Sequence, residues 1–281
     1  MVDLHTHSTA SDGTFSPREL IYLAKKEGLK ALALTDHDTI KGLEEAYETA
    51  KEEELPFLCG VEISVKFEGP GHFHLLGYFL TPKLEILDTM LKRLQEARKE
   101  RNFKMIEKLK ALGIDINFEE LQAIAQGEIG RPHFAKLLLD KGVVKNLEEA
   151  FERYLRKGAA AYVPKALLTP EEAISLIEKA GGVPVLAHPF TLKLDRKELS
   201  LYLSELKEMG LKGVEVFYSE HSREFTQFLQ EKAKHLALLI TGGSDFHGAN
   251  KPDIKLGRGF GNLKIPYECF IDLLKALEKN L

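Results

Sequence analysis

Short apolar runs alternate with amphipathic stretches along most of this chain. Val2–Leu4 is a short apolar strand. Ser16-Pro17-Arg18-Glu19 starts a helix: Ser16 caps it, Pro17 suits its first position and Glu19 closes a capping box. Gly28 stops that helix, and Ala31–Leu34 reads as a buried strand. A second helix is expected from Ile40 to Glu53. The run "LPFLCGVEIS" predicts a third strand ending at Glu62, and the alternating "HFHLLGYFL" a fourth. After Thr81 the pattern changes. From Leu84 to Ala161 only helical periods occur: one long helix or two in line, then shorter helices near 118–126, 132–140 and 147–156. Strands return with "GGVPVLAHP", preceded by a second capping box at Thr169-Pro170-Glu171-Glu172. "KGVEVFYSEH" and "LALLITGGSDFH" complete the set. Strands alternating with helices predict an α/β fold with a parallel sheet of about seven strands. The division expected is a barrel domain from 1–83 and 165–281, with an all-helical insertion, 84–164, capping its mouth.

Each apolar strand ends in residues that carry chemistry. His5 and His7 follow the first, with Asp12 in the loop beyond. Asp36-His37-Asp38 follows the second, and Glu62 ends the third. His74 lies in the fourth, His188 after the fifth, Glu215 or Tyr218 in the sixth, and Asp245 and His247 after the seventh. In a barrel the C-terminal strand ends meet at one mouth, where that fold places its active site. Singly, each motif is an ordinary turn. Together they place six imidazoles and several carboxylates in one pocket, which requires protonation or neutralising cations. Neutral imidazole with carboxylate is a ligand set for divalent metals. His72 and His235 lie off the strand ends and read as surface residues.

The bulk numbers fit an ordinary globular protein of 281 residues, 44% hydrophobic and 29% charged. The net charge of −4 argues against a generic nucleic-acid coat. Two cysteines far apart, Cys59 and Cys269, exclude a disulfide framework and fit a reducing cytosol. Met1 runs at once into Val2-Asp3 without a signal-peptide pattern, and no apolar run is long enough for a membrane span. A cytoplasmic protein that meets no membrane and has no stable protein partner is the expectation.

The motifs "DLHTHSTASDGTFSP", "LTDHDT", "GVEIS", "HLLGY", "RPHFA", "AHP" and "GSDFHG" resemble those of the PHP (polymerase and histidinol phosphatase) family. More closely, they are similar to its stand-alone phosphoesterases that hydrolyse nucleoside 3′,5′-bisphosphates, some of which are also 5′→3′ exoribonucleases on short RNA. The resemblance implies a distorted (β/α)7, TIM-like barrel with a helical insertion. It also implies a three-metal site: His5, His7, Glu62 and Asp245 on one ion, Glu62, His74 and His188 on a second, and Asp12, His37 and His247 on a third. Mn²⁺ is the expected metal, with Zn²⁺, Fe²⁺ and Mg²⁺ as alternatives. Such ions generate a hydroxide nucleophile at neutral pH and spread the charge developing on phosphorus. Glu62 and Asp245 then hold the reaction centre, and His221 in "SEHS" touches substrate or protonates the leaving group. Asp36 or Asp38 orients His37, and the other caps the next helix. For the substrate, a small phosphorylated nucleotide or a short RNA 5′ end, Arg131 offers a planar fork to phosphate. His133, Lys165 and Arg258 are further candidates. Histidinol-phosphate phosphatase and a non-catalytic module are the competing readings.

Overall fold

The computed structural model describes residues 1–125 and 129–279. Contacts divide the chain into two units, Met1–Leu91 with Leu167–Leu281 and Lys92–Ala166.

The first unit is built on a sheet of seven strands in the order β1-β2-β3-β4-β5-β6-β7. These are β1 (Val2–Asp3), β2 (Ala31–Leu34), β3 (Phe57–Val65), β4 (Phe73–Phe79), β5 (Val183–Leu186), β6 (Gly213–Tyr218) and β7 (Leu239–Gly243). The sheet curls on itself. Leu4 N–H donates to the Gly242 carbonyl, Asp245 N–H to His5 and His7 N–H to Phe246. That approach requires glycine at 243, because a Cβ there would lie 2.1 Å from the Cβ of His5.

The sheet is not wholly parallel, as the alternation suggested. β4 runs antiparallel to both β3 and β5. A parallel crossover needs a dozen or more residues, and only residues 66–72 join β3 to β4, so the chain turns back as a hairpin. The other pairs are parallel. Tyr78, Val185, Leu58 and Leu4 pack in one buried apolar cluster with Phe270 and Leu273 of the last helix, Glu268–Glu278.

Helix starts follow the sequence signals closely. α1 (Pro17–Lys26) carries the Ser16–Glu19 capping box. The Thr169–Glu172 box opens the helix Pro170–Lys179. α2 (Leu43–Glu52) begins later than expected, and its N-cap residue, Gly42, offers no side-chain cap.

The long amphipathic stretch is one helix, α3 (Glu85–Ala111). The division between units falls inside it, after Leu91, rather than at 83–84 where the strand signals stop. The second unit adds α4 (Phe118–Ile124), α5 (Arg131–Asp140) and α6 (Leu147–Ala150), which passes into a π-helical turn, Phe151–Leu155. Residue 126, the expected end of α4, lies outside the described residues. Met105, Leu109, Ile116, Leu121, Phe134 and Leu138 are buried in the core of this unit. Among the described residues no helix is long and apolar enough to cross a membrane.

Candidate metal centre

Thr6 fixes the direction of its two neighbours. Its hydroxyl donates to the Ala33 carbonyl and its N–H to Thr35 Oγ1, so it faces β2. His5 and His7 then share the opposite side, as period two requires. Both are fully buried, with ring centroids 5.2 Å apart.

They converge on Glu62, itself fully buried on β3. Glu62 Oε2 lies 3.1 Å from His5 Nε2, 3.3 Å from His7 Nε2 and 3.0 Å from His37 Nδ1. Its other oxygen lies 2.9 Å from His74 Nδ1 and 2.7 Å from His188 Nε2. Asp245 Oδ1 is 3.2 Å from His7 Nε2 and 3.7 Å from His5 Nε2. Asp12 is 3.2 Å from His247 Nε2 and 3.8 Å from both His7 and His37. Three groups have ligand atoms close enough for one ion each: His5, His7, Glu62 and Asp245; His7, Asp12, His37 and His247; and His37, Glu62 and His74. The structure thus gathers nine expected ligands. It differs from the expected sharing by setting His7 and His37 between groups, while His188 meets the cluster through Glu62 Oε1 and ring contacts with His5 and His74.

The hydrogen bonding leaves acceptors facing acceptors. His5 Nδ1–H donates to the buried Glu215 at 3.0 Å, which puts a bare Nε2 toward Glu62 and Asp245. His188 Nδ1 pairs with Thr191 Oγ1 at 2.9 Å, and its N–H donates to Glu215 at 2.7 Å. His247 Nδ1–H donates to the Asp245 carbonyl at 2.8 Å, leaving Nε2 toward Asp12. His5 Nε2, both nitrogens of His7 and Glu62 Oε2 are buried without a hydrogen-bond partner. Buried polar atoms are seldom left so. Lone pairs of imidazole and carboxylate converging in this way fit divalent cations.

Burial opposes ionisation of Glu62 and Asp245, yet the surrounding histidines hold both carboxyls well below their ordinary range. Burial also opposes charge on His7, but Asp245 and Glu62 push its pKa up to about 9. For His37 burial prevails and the pKa falls to about 3. Two cluster residues sit in left-handed backbone conformations that side chains disfavour: Asp245 at φ 58° and His188 at φ 21°. Such strain concentrates at functional sites.

Several expectations are corrected. Both ring nitrogens of His37 face the carboxylates of Glu62 and Asp12. Asp36 does not cap α2; it accepts from Ser8 N–H, Ser8 Oγ and Ser11 Oγ, fixing the loop after β1. Asp38 accepts from the N–H and hydroxyl of Ser64. His221 packs against the Tyr218 ring, centroids 5.1 Å apart. Its Nδ1–H donates to the Val216 carbonyl at 2.9 Å, Nε2 is bare, and burial lowers its pKa to about 4. Arg258 stands in a glycine-flanked turn and lines a cleft with Phe15, Phe246 and Lys255, outside the cluster. Arg131, His133 and Lys165 belong to the second unit. His72 and His235 are exposed.

Three neighbours were not assigned roles from sequence. Glu215 orients His5 and His188. Tyr218 OH and Lys251 Nζ donate to Asp245 Oδ2 at 3.1 and 2.6 Å, leaving Oδ1 to the histidines. A carboxylate inside the apolar run "VEVF" was the available signal for Glu215.

Comparison with known proteins follows this geometry. The PHP domain family model matches residues 3–163. A 5′-3′ exoribonuclease of Haemophilus influenzae is 37% identical over 87% of this chain and 89% of its own. A 3′,5′-nucleoside bisphosphate phosphatase of Chromobacterium violaceum is 36% identical over 88% of this chain and 87% of its own. A Bifidobacterium adolescentis structure assigned as a metal-dependent phosphoesterase superposes with a TM-score of 0.78, at 33% identity, over 98% of this chain and 96% of that one.

Proposed function

The chain belongs to the PHP family, and on that premise we propose that it is a metal-dependent phosphoesterase that removes the 3′-phosphate of nucleoside 3′,5′-bisphosphates. The observation that carries this is Glu62, a buried carboxylate met by five imidazoles, with His5 Nε2, His7 Nε2 and its own Oε2 left among the buried atoms without a hydrogen-bond partner. The proposal includes three divalent cations, Mn²⁺ foremost, held by His5, His7, Glu62 and Asp245, by Glu62, His74 and His188, and by Asp12, His37 and His247. Bound there, divalent cations lower the pKa of water and draw charge from phosphoryl oxygens.

The rest falls to the chain itself. Glu62 offers its two oxygens to two different sets of imidazoles. Glu215, Thr191 and the Asp245 carbonyl hold His5, His188 and His247 in the tautomers that free Nε2. Lys251 and Tyr218 keep Asp245 from turning its second oxygen inward. Arg131, His133 and Lys165 are proposed as contacts for the phosphate that does not react, with Arg258 as a further cation.

The Haemophilus relative favours a second reading, 5′→3′ exonuclease action on short 5′-phosphorylated RNA. One experiment tests both. The Mn²⁺-loaded chain is given adenosine 3′,5′-bisphosphate or a short 5′-phosphorylated RNA, each with and without chelator. Phosphate release yielding 5′-AMP, stopped by chelator, is the expected result. Release yielding 3′-AMP overturns the 3′-phosphatase reading. Mononucleotides from RNA with no phosphate from the bisphosphate would put the exonuclease in its place.

A further inference from the structure

The first unit carries a cleft of about 730 Å³ that the metal centre does not use. That volume suits a ligand of nucleotide size. Phe15 and Phe246 line it, with ring centroids 5.7 Å apart, and Leu23 and Glu27 line it at the end of α1. Both phenylalanines are tied to segments that hold candidate metal ligands. Phe246 stands between Asp245 and His247. Phe15 closes the loop around Asp12, its carbonyl accepting from Thr9 N–H at 2.8 Å. The two segments lock together. Ala249 N–H donates to Thr14 Oγ1 at 2.9 Å, and Asn250 Nδ2–H to the Asp12 carbonyl at 2.7 Å. Gly248 has φ 64°, and a Cβ there would lie 2.1 Å from Thr14 Oγ1 and 2.9 Å from the Phe15 ring. The aromatic wall is therefore fixed by the same loops that fix Asp12, Asp245 and His247.

Lys255 and Arg258 line the same cleft, and both are exposed. A tight turn brings their backbones together: Arg258 N–H donates to the Lys255 carbonyl at 3.0 Å, and Lys255 N–H to the Gly259 carbonyl at 2.8 Å. Among the described residues neither side chain pairs with a carboxylate. Phe260, in that turn, is 55% exposed, and Gly261 beside it lines the cleft.

Aromatic rings beside unpaired cations suit single-stranded nucleic acid, whose bases stack on the rings while its phosphates meet the charges. An apolar peptide would leave both cations unmatched, and an inorganic anion would leave the rings unused. We propose that this cleft seats a nucleotide of single-stranded RNA downstream of the one at the metal centre. Its base lies against Phe15 and Phe246, and its phosphate meets Lys255 and Arg258. RNA cut from its 5′ end leaves a chain that continues in the 3′ direction. The segments bearing Asp12, Asp245 and His247 join the place of cutting to the cleft. Arg258, offered above to a non-reacting phosphate, here meets that of the next nucleotide. The inference deepens the exonuclease reading above, on which the choice of RNA rests.

The test uses the full chain in chelator, so that RNA is bound and not cut. A short 5′-phosphorylated RNA with a fluorescent 3′ end is titrated with wild type, Phe15→Leu and Lys255→Gln, and binding is read by anisotropy. An abasic oligonucleotide of the same length, carrying the same phosphates and label, is titrated in parallel. In wild type, RNA is expected to bind more tightly than the abasic strand. Both variants are expected to lose at least about tenfold in RNA affinity. Phe15→Leu should narrow the gap between RNA and the abasic strand, whereas Lys255→Gln should weaken both strands alike. Phe15 is partly buried, so its variant counts only if its thermal midpoint matches wild type; otherwise the exposed Lys255 decides. No RNA binding in wild type, equal binding of RNA and the abasic strand there, or unchanged RNA affinity in the deciding variant overturns the inference. A chain that binds RNA through these residues but, loaded with Mn²⁺, cuts none keeps this inference and overturns the exonuclease reading. A chain that cuts RNA while both variants bind it as wild type does the reverse.

Discussion

The strand ends of the barrel unit and the Arg101 region of the helical unit bury charged groups in different ways. Around Glu62, imidazole nitrogens of His5 and His7 lie 3.1 and 3.3 Å from a carboxylate oxygen, and all three atoms are buried without a hydrogen-bond partner. Around Arg101, the hydrogen-bond partners are neutral carbonyl and amide oxygens, and none of its nitrogens is among the buried atoms without a partner. Buried polar groups are normally satisfied, so the orphaned imidazole and carboxylate atoms around Glu62 fit a cation, whereas Arg101 is held by neutral oxygens. A third buried group sets the baseline. Asp3, fully buried, accepts from Ser244 N–H, the Ser244 hydroxyl, Gly257 N–H and His5 N–H. It is a carboxylate that needs no ion.

Glu62→Gln should break the comparison most. The neutral amide removes the charge that two sets of imidazoles share. Bound metal and phosphate release should both fall by more than the roughly 10- to 100-fold typical of an outer residue. Metal analysis beside a phosphate assay checks this, and normal metal content with full activity would refute the role of Glu62.

Glu215→Gln should act through His5 and His188. The expected loss is about 10- to 100-fold in metal affinity, read by competition with a fluorescent chelator. An unchanged affinity would make Glu215 a packing residue only.

Stripping metal from the wild-type chain should lower its thermal midpoint, because an ion bound only by the folded state stabilises it by mass action. Returning Mn²⁺ should restore the midpoint in wild type, and much less in Glu62→Gln. An identical shift in both would place the stabilising ion elsewhere.

Asp3→Asn should have the smallest effect on metal. It turns one acceptor into a donor facing donors and should cost about 1–3 kcal/mol in a denaturant melt while metal content stays normal. Loss of metal without loss of stability would erase the distinction between Asp3 and Glu62.

The barrel centre was legible because period two and strand ends are local signals. Alternation around Thr6 puts His5 and His7 on one side, and the strand stops placed Glu62, His188 and Asp245 without knowledge of the fold. The capping boxes at Ser16 and Thr169 located their helices for the same reason. The direction of β4 depends on a loop too short to cross over, which an alternating strand pattern does not reveal. Glu215 was legible only as an alternative to Tyr218, since its apolar neighbours do not reveal that it holds His5 and His188, and the use of His221 turns on which nitrogen meets the Val216 carbonyl. Arg101 lies within "RKERNFK", a run indistinguishable in sequence from a solvated helix face. One of its partners is the Val163 carbonyl, far along the chain.

The most direct test of the account is the metal content of the chain after loading with Mn²⁺ and desalting, measured against phosphate release from adenosine 3′,5′-bisphosphate. The account predicts more than one retained ion per chain, three at full loading, with activity rising as the ions are restored. Phosphate release that persists at full rate in a chain stripped of every ion would contradict it.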